Sequence, residues 1–156
     1  MKDKNITKHK IYSEREELVY KNLSTLVNKF VNQYMKKGKK EKAQSIFRQS
    51  VLKINLKGEK KGFLIFLKAL KNVRPLVHTK NSRRGGATYQ IPVPLSINRS
   101  FFLAIKILVD YARKKKGCFV DNLNFTLIEA ANNKGECVKK REDLHNKVFK
   151  NKNLKN

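Results

Sequence analysis

One change of period constrains this chain more than any other feature. Most of its apolar residues recur at helical spacing, but in Ala87–Leu95 they alternate. Tyr89, Ile91, Val93 and Leu95 interleave with Thr88, Gln90, Pro92 and Pro94, the pattern of a strand with one apolar face. Pro92 and Pro94 have no N–H to donate, so the strand cannot be a central one. The preceding stretch, Val77–Arg84, is the available partner. Gly85-Gly86 lies between the two and tolerates the positive φ that both positions of a two-residue hairpin turn require. An isolated ribbon is marginal in water and has to pack on helices or on a partner.

The remaining patterns are helical. The first runs Val19, Leu23, Leu26, Val27, Phe30, Val31 and Tyr34 and ends at Gly38. A second, Ala43, Ile46, Phe47, Val51 and Ile54, closes at Gly58. A third, Phe63 to Val73, is stopped by Pro75, because the residue before a proline avoids the helical region. After the ribbon, Ser96 or Asn98 can cap a helix with the stripe Phe101, Ala104, Ile107, Leu108, Tyr111 and Ala112, ended by Gly117. A fifth helix is expected over about 121–132. The last segment, 136–156, has Val138, Leu144, Val148 and Phe149 to bury and reads as a surface helix. The sequence therefore predicts a mainly α fold of about six helices in a bundle-like domain, with a protruding two-stranded β-ribbon arm at about 76–95. Residues 1–15 read as a basic flexible arm, 16–150 as the helical domain and 151–156 as a basic tail.

Charge narrows the class of partner. Lys and Arg number 37 against 12 Asp and Glu, a net charge of +25 on 156 residues. Such a chain repels itself and is expected to fold beside a polyanion; its pI of about 10.3 is that of a nucleic-acid binder. An anionic membrane surface is the rival polyanion. Between Glu59 and Asp110 there is no acid, while Lys60, Lys61, Lys68, Lys71, Arg74, Lys80, Arg83, Arg84, Arg99 and Lys106 all fall there. Dense clusters stand elsewhere, at Lys2–Lys10, Lys36–Lys42, Arg113–Lys116 and Lys139–Arg141. Two of them follow helical patterns, where lysines also suit the helix dipole. Four clusters together with an acid-free window point instead to a phosphate-binding surface.

Catalytic chemistry is not visible. His9, His78 and His145 are isolated from each other and from Cys118 and Cys137, so there is no local metal box. Gly38-Lys39-Lys40 lacks the spacing of a phosphate loop. No nucleophile–base or paired-carboxylate constellation stands out, and the reading is of a protein that is not an enzyme and uses no cofactor. Cysteine usage fits a reduced compartment, and the first ten residues carry no apolar signal region. Arg83 and Arg84 can contact phosphate bidentately, and Tyr89, in phase with Ile91 and Val93, is expected to pack under the ribbon.

Four blocks carry a resemblance. RRGGATYQIPVPL at Arg83–Leu95, NVRP at Asn72–Pro75, Gly38-Lys39-Lys40 and AANNKGECVKKREDLH at Ala130–His145 resemble, in their order and spacing, the small-subunit ribosomal protein seven family. The similarity spans roughly residue 20 to the end, and the wording YQIPVPL looks closest to mitochondrial members. In bacterial members an apolar residue usually separates the arginine pair from Gly-Gly; here they adjoin. The resemblance implies a helical domain with a ribbon arm that binds the three-prime (head) domain of small-subunit rRNA and nucleates head assembly. It implies neighbouring head proteins as partners and no membrane, a ribbon near the exit-site tRNA and mRNA path, and a place in the mitochondrial ribosome, with plastid or bacterial cytoplasm as alternatives. The matching positions are Lys39, Lys40, Arg74, Arg83, Arg84, Gly85, Gly86, Lys139, Lys140 and Arg141. The basic residues Lys80, Arg99, Arg113, Lys114 and Lys115 complete the expected RNA-binding set. A nucleoid-type DNA-binding helical protein is the alternative reading.

Overall fold

The computed structural model describes residues 23–56 and 62–150; the expected arm at 1–15 and tail at 151–156 lie outside them. Six helices and one hairpin appear in the expected order. They are α1 (Leu23–Tyr34), α2 (Lys40–Leu56), α3 (Gly62–Val73), β1 (Val77–Arg84), β2 (Ala87–Pro94), α4 (Ile97–Lys114), α5 (Phe119–Ala131) and α6 (Glu136–Lys150). The fold is mainly α with a two-stranded antiparallel ribbon.

The apolar stripes explain the packing. Phe30 of α1, Phe47 of α2 and Phe66 of α3 meet with ring centroids 5.1–5.7 Å apart, a cluster in which each edge-on pair contributes roughly 0.5–1.5 kcal/mol beyond burial. Helix α5 packs against α2, α3, α4 and α6 and accordingly buries residues around its circumference, including Val120, Leu123, Leu127 and Ala130. Being surrounded, it has no wide polar face, unlike an ordinary surface helix.

Two junctions are closer than the hydrophobic pattern alone anticipates. Gly62, the first residue of α3, is buried, and a Cβ there would sit 2.5 Å from the Val51 carbonyl oxygen. Its N–H donates to Asn55 Oδ1. Asn72, at the far end of α3, donates through Nδ2 to the carbonyls of Ala130 and Ala131 at 3.0 and 2.9 Å. It thereby supplies a donor to the Ala131 carbonyl at the open end of α5 and a second one to the Ala130 carbonyl, which also accepts from the Asn133 N–H at 3.2 Å.

The ribbon pairs Val77 with Pro94 through to Arg84 with Ala87. The turn is Gly85-Gly86, at φ +56° and +80°, so adjacency of the arginine pair to the glycines gives a two-residue turn and continuous register. At its base, Leu95 N–H donates to the Leu76 carbonyl (3.0 Å), Ser100 Oγ donates to the Pro75 carbonyl, and Leu76 N–H donates to His145 Nε2 of α6 (3.2 Å). Helix α6 lies against β1. The helical support reaches only the inner half of the ribbon: Ile91 and Val93 are half-buried, whereas Thr88, Tyr89 and Gln90 are exposed.

Three expectations are corrected. Tyr89 is not packed beneath the ribbon but 39% exposed, because it lies beyond the supported half. Phe149 is 75% exposed rather than buried, since α6 presents its apolar contacts nearer its start, at Cys137 and Val138. Ser96 occupies the cap position of α4 but its side chain makes no cap hydrogen bond.

Candidate nucleic-acid interface

Two basic clusters that are far apart in the sequence converge in space. The turn between α1 and α2 and the turn between α4 and α5 face each other across a cleft of about 550 Å³. Lys36, Lys37, Lys39 and Lys42 line it from one side, Arg113 and Lys115 from the other, and no carboxylate lines it. Arg113 Nη2 donates to the Gln33 carbonyl at 3.3 Å, tying the two sides. Lys37, at φ +51°, and Gly38, at φ +70°, are successive left-handed residues, a conformation uncommon for a lysine. They turn the chain tightly enough to present Lys36–Lys42 as one rim. Lys40 is exposed beside the cleft without lining it, and Lys114 is exposed but lines the cleft between α4 and α6.

Lys115 is held more firmly than its neighbours. Its ammonium lies 3.6 Å from the Phe125 ring centroid and 5.0 Å from that of Tyr111, and 3.4 Å from Glu129. Lys36, Lys37, Lys39, Lys40 and Lys42 have no ion-pair partner among the described residues, so their charge is undiminished by local pairing.

A second cationic surface is the outer ribbon, where Lys80 and Arg83 are exposed; for Arg84 the backbone places it opposite Ala87 at the turn. Arg99, in the first turn of α4, is exposed with its guanidinium 5.3 Å from the ring of Phe102, itself 39% exposed. Such pairs of guanidinium and exposed ring suit phosphate and base together.

Other expected residues sit differently. Arg141 is only partly exposed; it donates through Nη1 to the Asn72 carbonyl and through Nη2 to Glu142 at 3.2 Å, fastening α6 to the end of α3. Arg74 is half-buried with its guanidinium 5.1 Å from the Phe101 ring. Lys139 and Lys140 are exposed but line a different cleft, between α4 and α6, together with Asp110, Glu136, Glu142 and Asp143. There the acids offset the lysines. The structure thus brings the cluster at 36–42 together with Arg113 and Lys115, whereas Lys114 lines the same cleft as Lys139 and Lys140.

Sequence reasoning missed Arg113's contact with Gln33 and the apolar floor of the cleft, built from Tyr34, Met35, Ile46 and Phe119. The signal was present as aromatic and aliphatic residues next to lysines, but their convergence depends on how α1, α2, α4 and α5 pack. The Cys137 thiol is buried and burial, then Glu129, pushes it up to about 12, so it is no nucleophile at neutral pH. Among the described residues no helix is long and apolar enough to cross a membrane.

Comparison with known proteins agrees with this geometry. Residues 1–152 match the family model for ribosomal protein S7p/S5e. The chain is 43% identical over 132 residues to the small ribosomal subunit protein uS7 of Koribacter versatilis, with 83% of each chain covered. It is 44% identical over 131 residues to that of Acidobacterium capsulatum, again with 83% of each covered, and 42% identical over 130 residues to that of Nautilia profundicola, covering 83% of this chain and 84% of the relative. With a helical core, a two-stranded ribbon and basic turns facing one cleft, and with that match over nearly its whole length, the chain belongs to the ribosomal protein S7p/S5e family.

Proposed function

We propose that this chain is a structural constituent of the small ribosomal subunit, binding the three-prime (head) domain of the rRNA and helping that domain to assemble. Membership of a ribosomal protein family makes the role structural rather than enzymatic. The observation that carries the RNA reading is the carboxylate-free cleft on which Lys36, Lys37, Lys39 and Lys42 converge with Arg113 and Lys115. A surface of this kind holds two backbone segments of a folded RNA at once, and so selects shape as well as charge.

The contacts assigned are Lys39, Lys40, Arg113 and Lys115 at and beside the cleft, Lys114 on the adjoining face between α4 and α6, Lys80, Arg83, Arg84, Gly85 and Gly86 on the ribbon, and Arg99 at the start of α4. Lys139 and Lys140 serve at a separate, less cationic face. Arg74 and Arg141 support the surface from within the fold. The ribbon, exposed beyond its inner half, is the element with reach toward tRNA and mRNA, and neighbouring head proteins complete the set of partners. The mitochondrial setting rests on the wording YQIPVPL; the relatives compared above are bacterial.

The test is sedimentation of the tagged full chain from its own cells after a high-salt wash, with mitochondrial and cytoplasmic ribosomes fractionated separately. Recovery with the small subunit is the expected result, and recovery from the mitochondrial fraction supports that setting. Absence from every small-subunit fraction, or recovery with chromosomal DNA, overturns the proposal.

A further inference from the structure

We infer that the cleft between the α1–α2 and α4–α5 turns holds one unstacked nucleotide of the bound RNA, its base on the apolar floor and its flanking phosphates on the lysine rim. This deepens, and rests on, the RNA-binding reading above.

Three observations support it. The cleft's volume, about 550 Å³, is within the ~300–1,000 Å³ typical of sites that enclose a small ligand, and too confined for a duplex. Its floor is not cationic. Tyr34 and Phe119 lie with ring centroids 5.5 Å apart, and Met35, Ile46 and Phe119 are half-buried, leaving apolar surface at the bottom. A phosphate gains nothing from such a floor, whereas a base has a π-face that stacks on it. Finally, the cations stand at the rim, where Lys37, Lys39 and Lys42 have no ion-pair partner among the described residues.

One polar group is placed to read an edge. Asn122 lines the cleft and donates through Nδ2 to the Lys115 carbonyl at 2.9 Å. Its Oδ1 accepts no hydrogen bond among the described residues, and so is available to a base amino group. The other cleft, between α4 and α6, sets Asp110, Glu136, Glu142 and Asp143 against Lys114, Lys139, Lys140 and Lys147, so its cations are offset and it does not suit the same occupant.

The test uses the full chain and two RNA hairpins of equal length, one with a single bulged 2-aminopurine and one fully paired. The wild-type chain is expected to bind the bulged hairpin at least about fivefold more tightly, the smaller end of what one stacked base contributes, and to protect the 2-aminopurine from acrylamide quenching. Met35→Trp, which fills the floor without changing charge, should abolish that preference. Lys39→Gln with Lys42→Gln should weaken binding to both. Equal affinity of the wild-type chain for both hairpins with an unprotected 2-aminopurine overturns the nucleotide pocket while leaving RNA binding intact. Binding to neither hairpin overturns both readings. The protection measurement needs no variant, so a misfolded Met35→Trp chain does not block the decision.

Discussion

Asn72 and Arg141 belong to sequence blocks that resemblance associates with RNA, yet each has a partner inside the protein. Asn72 caps the carbonyls of Ala130 and Ala131, and Arg141 donates to the Asn72 carbonyl. Removing the amide takes the donor from the Ala131 carbonyl and leaves the Ala130 carbonyl with the Asn133 N–H alone, and Asn72→Ala is expected to cost about 1–3 kcal/mol in denaturant unfolding. A loss of RNA affinity with unchanged stability would contradict that role. His145 is a second fastening. Its Nε2 accepts from Leu76 N–H and can do so only while neutral. Burial first, then the Arg141 guanidinium, holds its pKa below the ordinary histidine value of 6.5. The unfolded chain therefore binds this proton at a higher pH than the folded one. The contribution of His145 is complete above pH 6.5 and is lost as pH falls from there through the folded value. Melting temperature followed from pH 7.5 to 5 should fall less for His145→Gln than for the wild-type chain; parallel curves would exclude His145. Such roles were not legible in the sequence, because a basic or amide side chain looks the same whether it faces a phosphate or a distant carbonyl.

Elements were far more legible than residues. Stripes such as Phe101, Ala104, Leu108 and Ala112 and the alternation in Ala87–Leu95 each carry a period that only one regular structure satisfies, and the helices and the ribbon follow them. What periodicity cannot express is how closely two elements approach. Gly62 shows this at the junction of α2 and α3, where no Cβ fits beside the Val51 carbonyl. Gly62→Ala should destabilise the chain by about 1–3 kcal/mol, as an overpacked junction does, and unchanged thermal unfolding would show that the junction can relax. The outer ribbon is the opposite case. Its Arg83 is exposed and it has no helix beneath it, so Arg83→Ala with Arg84→Ala should reduce incorporation into small subunits while circular dichroism stays unchanged. Loss of helical signal in that variant would make the pair structural.

For the whole molecule, charge governs behaviour. The sequence carries +25, and its cations have few ion-pair partners among the described residues: Lys53 with Asp121 at 2.7 Å is exposed on both sides, and exposed pairs of this kind contribute little. The composition implies a polyanion partner, but not which cations share a surface, since that follows from α1, α2, α4 and α5 meeting around one core. The central claim is that this convergent surface recognises a folded RNA chiefly through its phosphates. The most direct measurement is affinity for the folded rRNA head domain, and for an unfolded RNA of equal length, between 50 and 200 mM salt. If roughly 6–10 phosphates are neutralised, affinity for the folded RNA should fall by about 10³–10⁵ over that range while remaining above that for the unfolded RNA at each salt concentration. A shallow dependence on salt, or equal affinity for both RNAs, would contradict the account.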